Sequence, residues 1–228
     1  MIAERVAAVR ERIARAAERA GRPPGSVTLV AVSKTQPASA VRDAFAAGVR
    51  DFGENRVQEA EPKIAAMAGL GARWHLVGHL QSNKARRAAT LFGLVQSIDS
   101  LAVAERLARA GEEASLTVHG LVQVDLAGEV TKFGLPEPEL LKTLEALRGR
   151  PGLRLEGLML LPPFLEDPQA LRPFFARLRA LRDRALADGL LAAGELSMGM
   201  SHDFETAVEE GATLVRVGTA IFGERRAV

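Results

Sequence analysis

Cysteine is absent from the 228 residues, so disulfides, thiolate metal sites and a cysteine nucleophile are all excluded. Tyrosine is absent as well, which removes one common acid–base side chain from any reaction the chain performs. An excess of charge of one sign is also missing. Thirty basic residues face 28 acidic ones, for a net charge of +2. Basic residues gather only at Lys84, Arg86 and Arg87 and at Arg225 and Arg226. Nucleic-acid recognition needs a concentrated basic footprint, so no nucleic-acid partner is expected. No apolar run approaches the roughly 18 residues that suggest a membrane span. The opening segment MIAERVAAVRERIARAAERAGR is charged throughout, without the apolar centre of a signal peptide. The expectation is a cytoplasmic protein with no membrane contact. The four histidines, His75, His79, His119 and His202, lack the spacing that sets two of them on one helix face as metal ligands.

What is present is a two-beat rhythm. After an amphipathic helix over about 2–20 and the turn GRPPG, short apolar or β-branched runs alternate with longer segments of helical period. The runs predict strands at 27–33, 50–54, 73–78, 93–98, 118–124, 155–161, 195–199 and 213–217. Helices are predicted over 37–47, 55–68, 82–91, 100–114, 136–148, 168–189 and 203–210. Pro37, Pro136 and Pro168 stand at helix starts, and Gly48, Gly111 and Gly211 at helix stops. Parallel neighbours need crossover helices, so this order predicts a parallel sheet. Eight strands favour an α/β fold of the (β/α)8 TIM barrel type, with a doubly wound open sheet as the alternative. The chain is expected to be one domain over 1–228, with the helix at 2–20 outside the barrel repeat.

In such a barrel the chemistry belongs at the carboxyl ends of the strands. The polar residues falling there are Lys34, Glu54 and Asn55, Gly78 and His79, Gln96, Ser97 and Asp99, then Gly199 to Ser201, and Gly218 and Thr219. Lys34 closes the run VTLVAVS. Beside apolar walls or another cation, a lysine favours its neutral form and becomes a nucleophile that forms Schiff bases with carbonyl compounds. The plainer reading is a lysine reaching solvent, paired with Glu54. In ELSMGMSHDFETAVEEGATLVRVGTAIFGE, Gly199 and Gly218 permit close backbone approach, and Ser201 and Thr219 offer hydroxyls. Backbone N–H groups framed by small residues make a phosphate cradle. Alternatively the glycines only turn the chain and Ser201 caps a helix. In TLVRVG, alternation puts Leu214, Arg216 and Gly218 on one face. A guanidinium inside a barrel needs a partner. The candidates are a protein carboxylate, such as Glu54, Glu156 or Glu195, or else a ligand anion or ring nitrogen. A Schiff-base lysine, a ring-nitrogen partner and a phosphate anchor are together the needs of pyridoxal 5'-phosphate (PLP).

The segments AVSKTQ, FGENRVQE, WHLVGHLQSNK, SMGMSHDFETAVEEGAT and RVGTAIFG occur in this order from about Val27 to Gly223. In that order and spacing the chain resembles the pyridoxal phosphate homeostasis protein family, whose fold is similar to the N-terminal barrel of alanine racemase. The resemblance implies a single-domain barrel that holds PLP on a lysine, without established turnover, and serves the cell's PLP balance. It implies that Lys34 carries the Schiff base and that Arg216 faces the pyridine nitrogen. Ser201, Gly218 and Thr219 would contact the phosphate, with Asn55 beside the cofactor. Lys132, in EVTKFG, matches a lysine that members often carry. Two positions depart from the pattern: Gln36 stands where many members have a second lysine, and Arg56 where an aromatic residue is usual. PLP-dependent apo-enzymes are the implied acceptors, and a monomer is expected. Two other readings stay open. One is a PLP-dependent racemase or lyase of low activity, although the tyrosine base of alanine racemase-like enzymes has no counterpart here. The other is an aldolase-type lysine acting on a sugar phosphate.

Overall fold

The computed structural model describes residues 1–128 and 133–224. Eight parallel strands close into a barrel, confirming the (β/α)8 expectation over the open sheet. In chain order they are β1 (Thr28–Val32), β2 (Asp51–Glu54), β3 (Arg73–Leu76), β4 (Leu94–Ile98), β5 (Val118–Asp125), β7 (Leu153–Leu160), β8 (Glu195–Met200) and β9 (Leu214–Val217). Each pairs with its neighbour, β4 pairs with β5, and β1 pairs with β9, so the sheet has no free edge within the ring. A two-residue strand, β6 (Leu135–Pro136), lies alongside Val124 and Asp125 at the end of β5 and was not anticipated.

Helices separate the strands as the periodicity predicts: α2 (Ala38–Ala46), α3 (Val57–Ala66), α4 (Ala85–Leu91), α5 (Leu101–Glu113), α6 (Leu140–Ala146), α7 (Arg172–Ala187) and α8 (Phe204–Glu209). Three begin later than the pattern suggests. The residues Ser82–Lys84, Glu137–Glu139 and Pro168–Leu171 form 3-10 turns before α4, α6 and α7. A short α9 (Thr219–Phe222) follows β9. The opening helix α1 (Ile2–Arg19) buries Val6, Val9, Ile13, Ala16 and Ala17, and it packs against α8 and α9 outside the barrel. Among the described residues, no helix is long and apolar enough to cross a membrane.

Strand alternation divides the core in two. Val30, Leu94, Leu121, Met159 and Leu214 meet inside the barrel, while Ala31, Phe52, Val122, Leu158 and Val215 face the helices. Gly111 is not a helix stop. It sits in the last turn of α5, where a Cβ would stand 2.2 Å from the Gly152 carbonyl oxygen, so its bare Cα lets helix and loop touch.

Candidate functional site

The loop after β1 carries Lys34. The Ser33 N–H donates to the Gly53 carbonyl at 2.9 Å, which extends the β1–β2 pairing by one residue. The Gln36 N–H then donates back to the Ser33 carbonyl at 3.0 Å and closes a turn around Lys34 and Thr35. Thr35 has φ +64°, a left-handed conformation that costs a β-branched residue free energy. What holds this strained turn lies beneath it. Lys63, from α3, sends Nζ to the Ser33 carbonyl oxygen and to Glu54 Oε1, each at 2.7 Å. The Ser33 hydroxyl donates to the same Glu54 oxygen at 2.6 Å. Burial pushes the Glu54 carboxyl up, against the pull of Lys63 and Ser33, and its Oε2 has no hydrogen-bond partner. The carboxylate set against Lys34 in the plainer reading is thus taken by Lys63. Lys34 itself is half-buried at the strand's carboxyl end.

Across the seam stands β9. Val30 registers with Arg216 and Ala31 with Val217. Arg216 faces the barrel interior with Leu214, as alternation predicts, and only 3% of it is exposed. Of the two candidate partners, the protein carboxylate is not what the structure shows. Arg216 Nη1 donates to the Ser197 hydroxyl at 2.5 Å and Nη2 to the Leu160 carbonyl at 2.7 Å, both neutral acceptors. Glu54 holds Lys63, Glu156 holds His119 and Arg154, and Glu195 accepts from Thr213. Burial lowers the Arg216 pKa to about 10, with the charge of Asp203 acting in the other direction, so the group stays cationic at neutral pH.

The two glycine-rich loops converge next to this arginine. Gly199 has φ +92°, and a Cβ there would lie 2.6 Å from the Ala207 Cβ, so only glycine lets β8 turn onto α8. Asp203, not Ser201, stands at the N-cap position immediately before α8, and its side chain accepts from the Met200 N–H at 2.5 Å. The helix-cap reading of Ser201 is therefore replaced. Its hydroxyl oxygen reaches over to the next loop and accepts from the N–H groups of Gly218 (3.2 Å) and Ala220 (3.3 Å). Gly218 is in turn close to β1, since a Cβ there would stand 3.3 Å from the Val32 carbonyl oxygen. Thr219 opens α9 and is exposed. Ser201 and Gly218 thus meet, with Thr219 next in the chain, and Gly218 lies beside Val32, two residues before Lys34.

On the opposite side of the mouth, Asn55 directly follows β2 and is half-buried, and its carbonyl oxygen would be 2.4 Å from a Cβ on Gly78. That contact packs the loops after β2 and β3 backbone to backbone. Asn55, Gly78, His79 and Lys84 help line a cavity of about 540 Å³. His79 also borders a second, more apolar cavity of about 390 Å³, with Phe133, Phe164, Met200 and His202. The His79 Nδ1 lies 2.8 Å from Asp99 Oδ2, and its ring stacks on Phe133 with centroids 3.6 Å apart. Both residues are visible among the strand-end polar groups of the sequence, but their pairing is not. Gln36 is half-buried, and Arg56 is exposed, 3.8 Å from Glu59. Arg86 and Arg87 of the basic cluster pair with Glu113 and Glu61. Lys132, Arg225 and Arg226 lie outside the described residues.

Lys63 and Ser197 escaped the sequence reading, and Gln96 was named there only as a strand-end polar residue. Lys63 gave no signal beyond a place on a helix. Gln96 and Ser197 did give one, since each is a polar residue at an inward position of an apolar strand.

Residues 5–226 match the family described as alanine racemase, N-terminal domain. The chain is 48% identical over 224 residues to the pyridoxal phosphate homeostasis protein of Pseudomonas aeruginosa, covering 98% of this chain and 96% of that relative. It is 43% identical to the protein of the same name from Aquifex aeolicus, covering 98% of each. Among solved structures, PipY of Synechococcus elongatus superposes with a TM-score of 0.89 without PLP and 0.85 with PLP bound. Its identity is 42%, over 98% of this chain and all of PipY. By full-length similarity and by its barrel, this chain belongs to the pyridoxal phosphate homeostasis protein family, within the alanine racemase N-terminal domain fold.

Proposed function

We propose that this protein binds PLP as a Schiff base on Lys34 and serves the intracellular supply of that cofactor without turning over a substrate of its own. The whole of 1–228 acts as one cofactor-binding unit, in the cytoplasm and as a monomer. One observation carries the reading. Arg216 is a buried cationic donor whose hydrogen bonds go to neutral groups, and it stands on β9 next to the strand that leads into Lys34, two residues before Gly218, whose N–H converges with that of Ala220 on Ser201. A phosphorylated, anionic aldehyde with a ring nitrogen fits that set, and a PLP-bound relative of the same fold supports it.

PLP supplies an electrophilic aldehyde and an electron-withdrawing ring. The chain's residues do the rest. Lys34 provides the amine, held in place by the Lys63–Ser33 contact under its turn. Gly218, Ala220 and the hydroxyls of Ser201 and Thr219 receive the phosphate, and Asn55 flanks the ring. Arg216 offers the ring nitrogen a donor that does not release its proton, which favours the unprotonated nitrogen and weakens the ring as an electron sink. With no tyrosine to complete proton transfer, binding prevails over turnover. A lysine of an apo-enzyme, or water, would release the cofactor by displacing the Lys34 amine. Borohydride reduction of the loaded protein followed by peptide mass spectrometry tests the assignment. The expected pyridoxyl adduct is on the Lys34 peptide, and no adduct at all would sink the reading.

A PLP-dependent racemase or lyase of low activity is favoured by one observation, the His79–Asp99 pair at the mouth, because a carboxylate-oriented imidazole is a competent base. Incubation with D- and L-amino acids in deuterated water separates the two readings. Exchange at Cα at enzymatic rates, lost in His79→Phe, would favour the enzyme.

A further inference from the structure

Arg216 is one end of a longer arrangement. The Ser197 hydroxyl that accepts from Nη1 lies 2.6 Å from Gln96 Oε1. Gln96 Nε2 lies 2.9 Å from His75 Nδ1, and His75 Nε2 lies 2.9 Å from Asp51 Oδ1. His75, Gln96 and Ser197 are each 0% exposed. These five residues come from β2, β3, β4, β8 and β9, so the contacts run across the barrel interior, from Asp51 at the first residue of β2 to Arg216 on β9.

The chemistry of the two ends allows the series only one polarity. A guanidinium has donors and no acceptor, and a carboxylate has acceptors and no donor. Ser197 must therefore accept from Arg216 and send its own hydroxyl proton to Gln96 Oε1. The amide orientation follows, with N–H₂ on His75 Nδ1. That nitrogen is then the unprotonated one, and Nε2–H donates to Asp51. The tautomer of a histidine on one side of the barrel is set by a cation on the other. Adding a proton at Nδ1 would turn the amide over and aim two sets of donors at Ser197. Hydrogen bonds aligned head to tail between a cation and an anion reinforce one another, and a buried series leaves no water to substitute for a missing member.

We propose that Ser197, Gln96, His75 and Asp51 are positioning residues for Arg216, forming a one-way hydrogen-bonded series that fixes where the guanidinium points at the barrel mouth. The proposal rests on the reading of Arg216 as the partner of the cofactor's ring nitrogen. The series does not touch the ligand and acts only through Arg216.

Two measurements test it. In the loaded protein, the visible band of the lysine-bound cofactor is titrated with pH in Ser197→Ala, Gln96→Leu and His75→Leu, with thermal stability measured alongside. Met159→Leu, inside the same barrel, is the control for packing alone. The expected result is a midpoint displaced by about half a pH unit in Ser197→Ala, in the same direction but by less in Gln96→Leu and less again in His75→Leu. Displacements no larger than in Met159→Leu, whatever the stability loss, would overturn the proposal. The second measurement needs no cofactor: 15N NMR of the histidine-labelled protein. His75 is expected with Nε2 protonated and Nδ1 bare, and a second tautomer is expected to appear in Arg216→Met. A wild-type His75 protonated at Nδ1 would overturn the polarity. If the protein takes up no PLP, the functional reading fails by itself, and the NMR result still decides the series.

Discussion

His75 is held neutral in the folded protein by competing effects whose sum has a clear sign. Burial disfavours the imidazolium more strongly than the hydrogen bond and charge of Asp51 favour it, so its pKa is lowered. The unfolded chain therefore binds a proton that the folded chain refuses. The stability this residue contributes is complete above the ordinary histidine value of about 6.5 and is lost as pH falls through that value toward the depressed folded one. The urea midpoint is expected to drop on acidification below about pH 6.5. In His75→Gln the drop over that interval should be smaller, and an identical slope in the two proteins would contradict the account. Legibility was uneven at this scale. Lys34 and Arg216 stood out because a charged residue ending or interrupting an apolar strand needs an explanation. Gln96 and Ser197 broke the same pattern more quietly, since small polar groups are common in sequences and only their mutual distances show them to be connected. Lys63 could not be found at all, because a lysine on a helix is ordinarily solvated and nothing in EAEPKIAA announces the buried carboxylate it meets.

The elements themselves were well marked, since period-two and period-3.6 patterning alternate cleanly along the chain. Their edges were less so. Three helices open with a 3-10 turn, whose period of three is hard to tell from 3.6 over four residues. Gly111 shows a different ambiguity. A glycine near a helix end reads as a terminator, yet this one has an ordinary helical backbone and serves a close approach to the Gly152 carbonyl. Gly111→Ala would improve helix propensity and still force α5 away from that loop. A net destabilisation of about 1–3 kcal/mol is expected by chemical denaturation. A stabilised variant would mean that the gap yields freely.

For the whole molecule, α1 joins the outer ring through ion pairs as well as apolar packing. Arg12 lies 2.7 Å from Glu205, and Arg19 lies 2.8 Å from Glu209, which also meets Arg172. The hydrogen bonds from Arg12 and Arg172 hold the Glu205 and Glu209 carboxyls below their ordinary range. Their contribution is present above the ordinary carboxylate value and lost as pH falls toward the depressed folded values, so α1 should loosen in acid below about pH 4.3. The pairs are partly solvated, so the effect is small. In Glu205→Gln the acid sensitivity of α1 to limited proteolysis should diminish, and unchanged sensitivity would assign the loosening elsewhere. The barrel's closure carries a consequence in time. Lys34 follows β1 and Arg216 lies on β9, far later in the chain, and their two strands come together only when β9 zips against β1. Any molecule that must grip both therefore cannot be captured by a chain that has not yet made β9, and its capture certifies that the ring has closed.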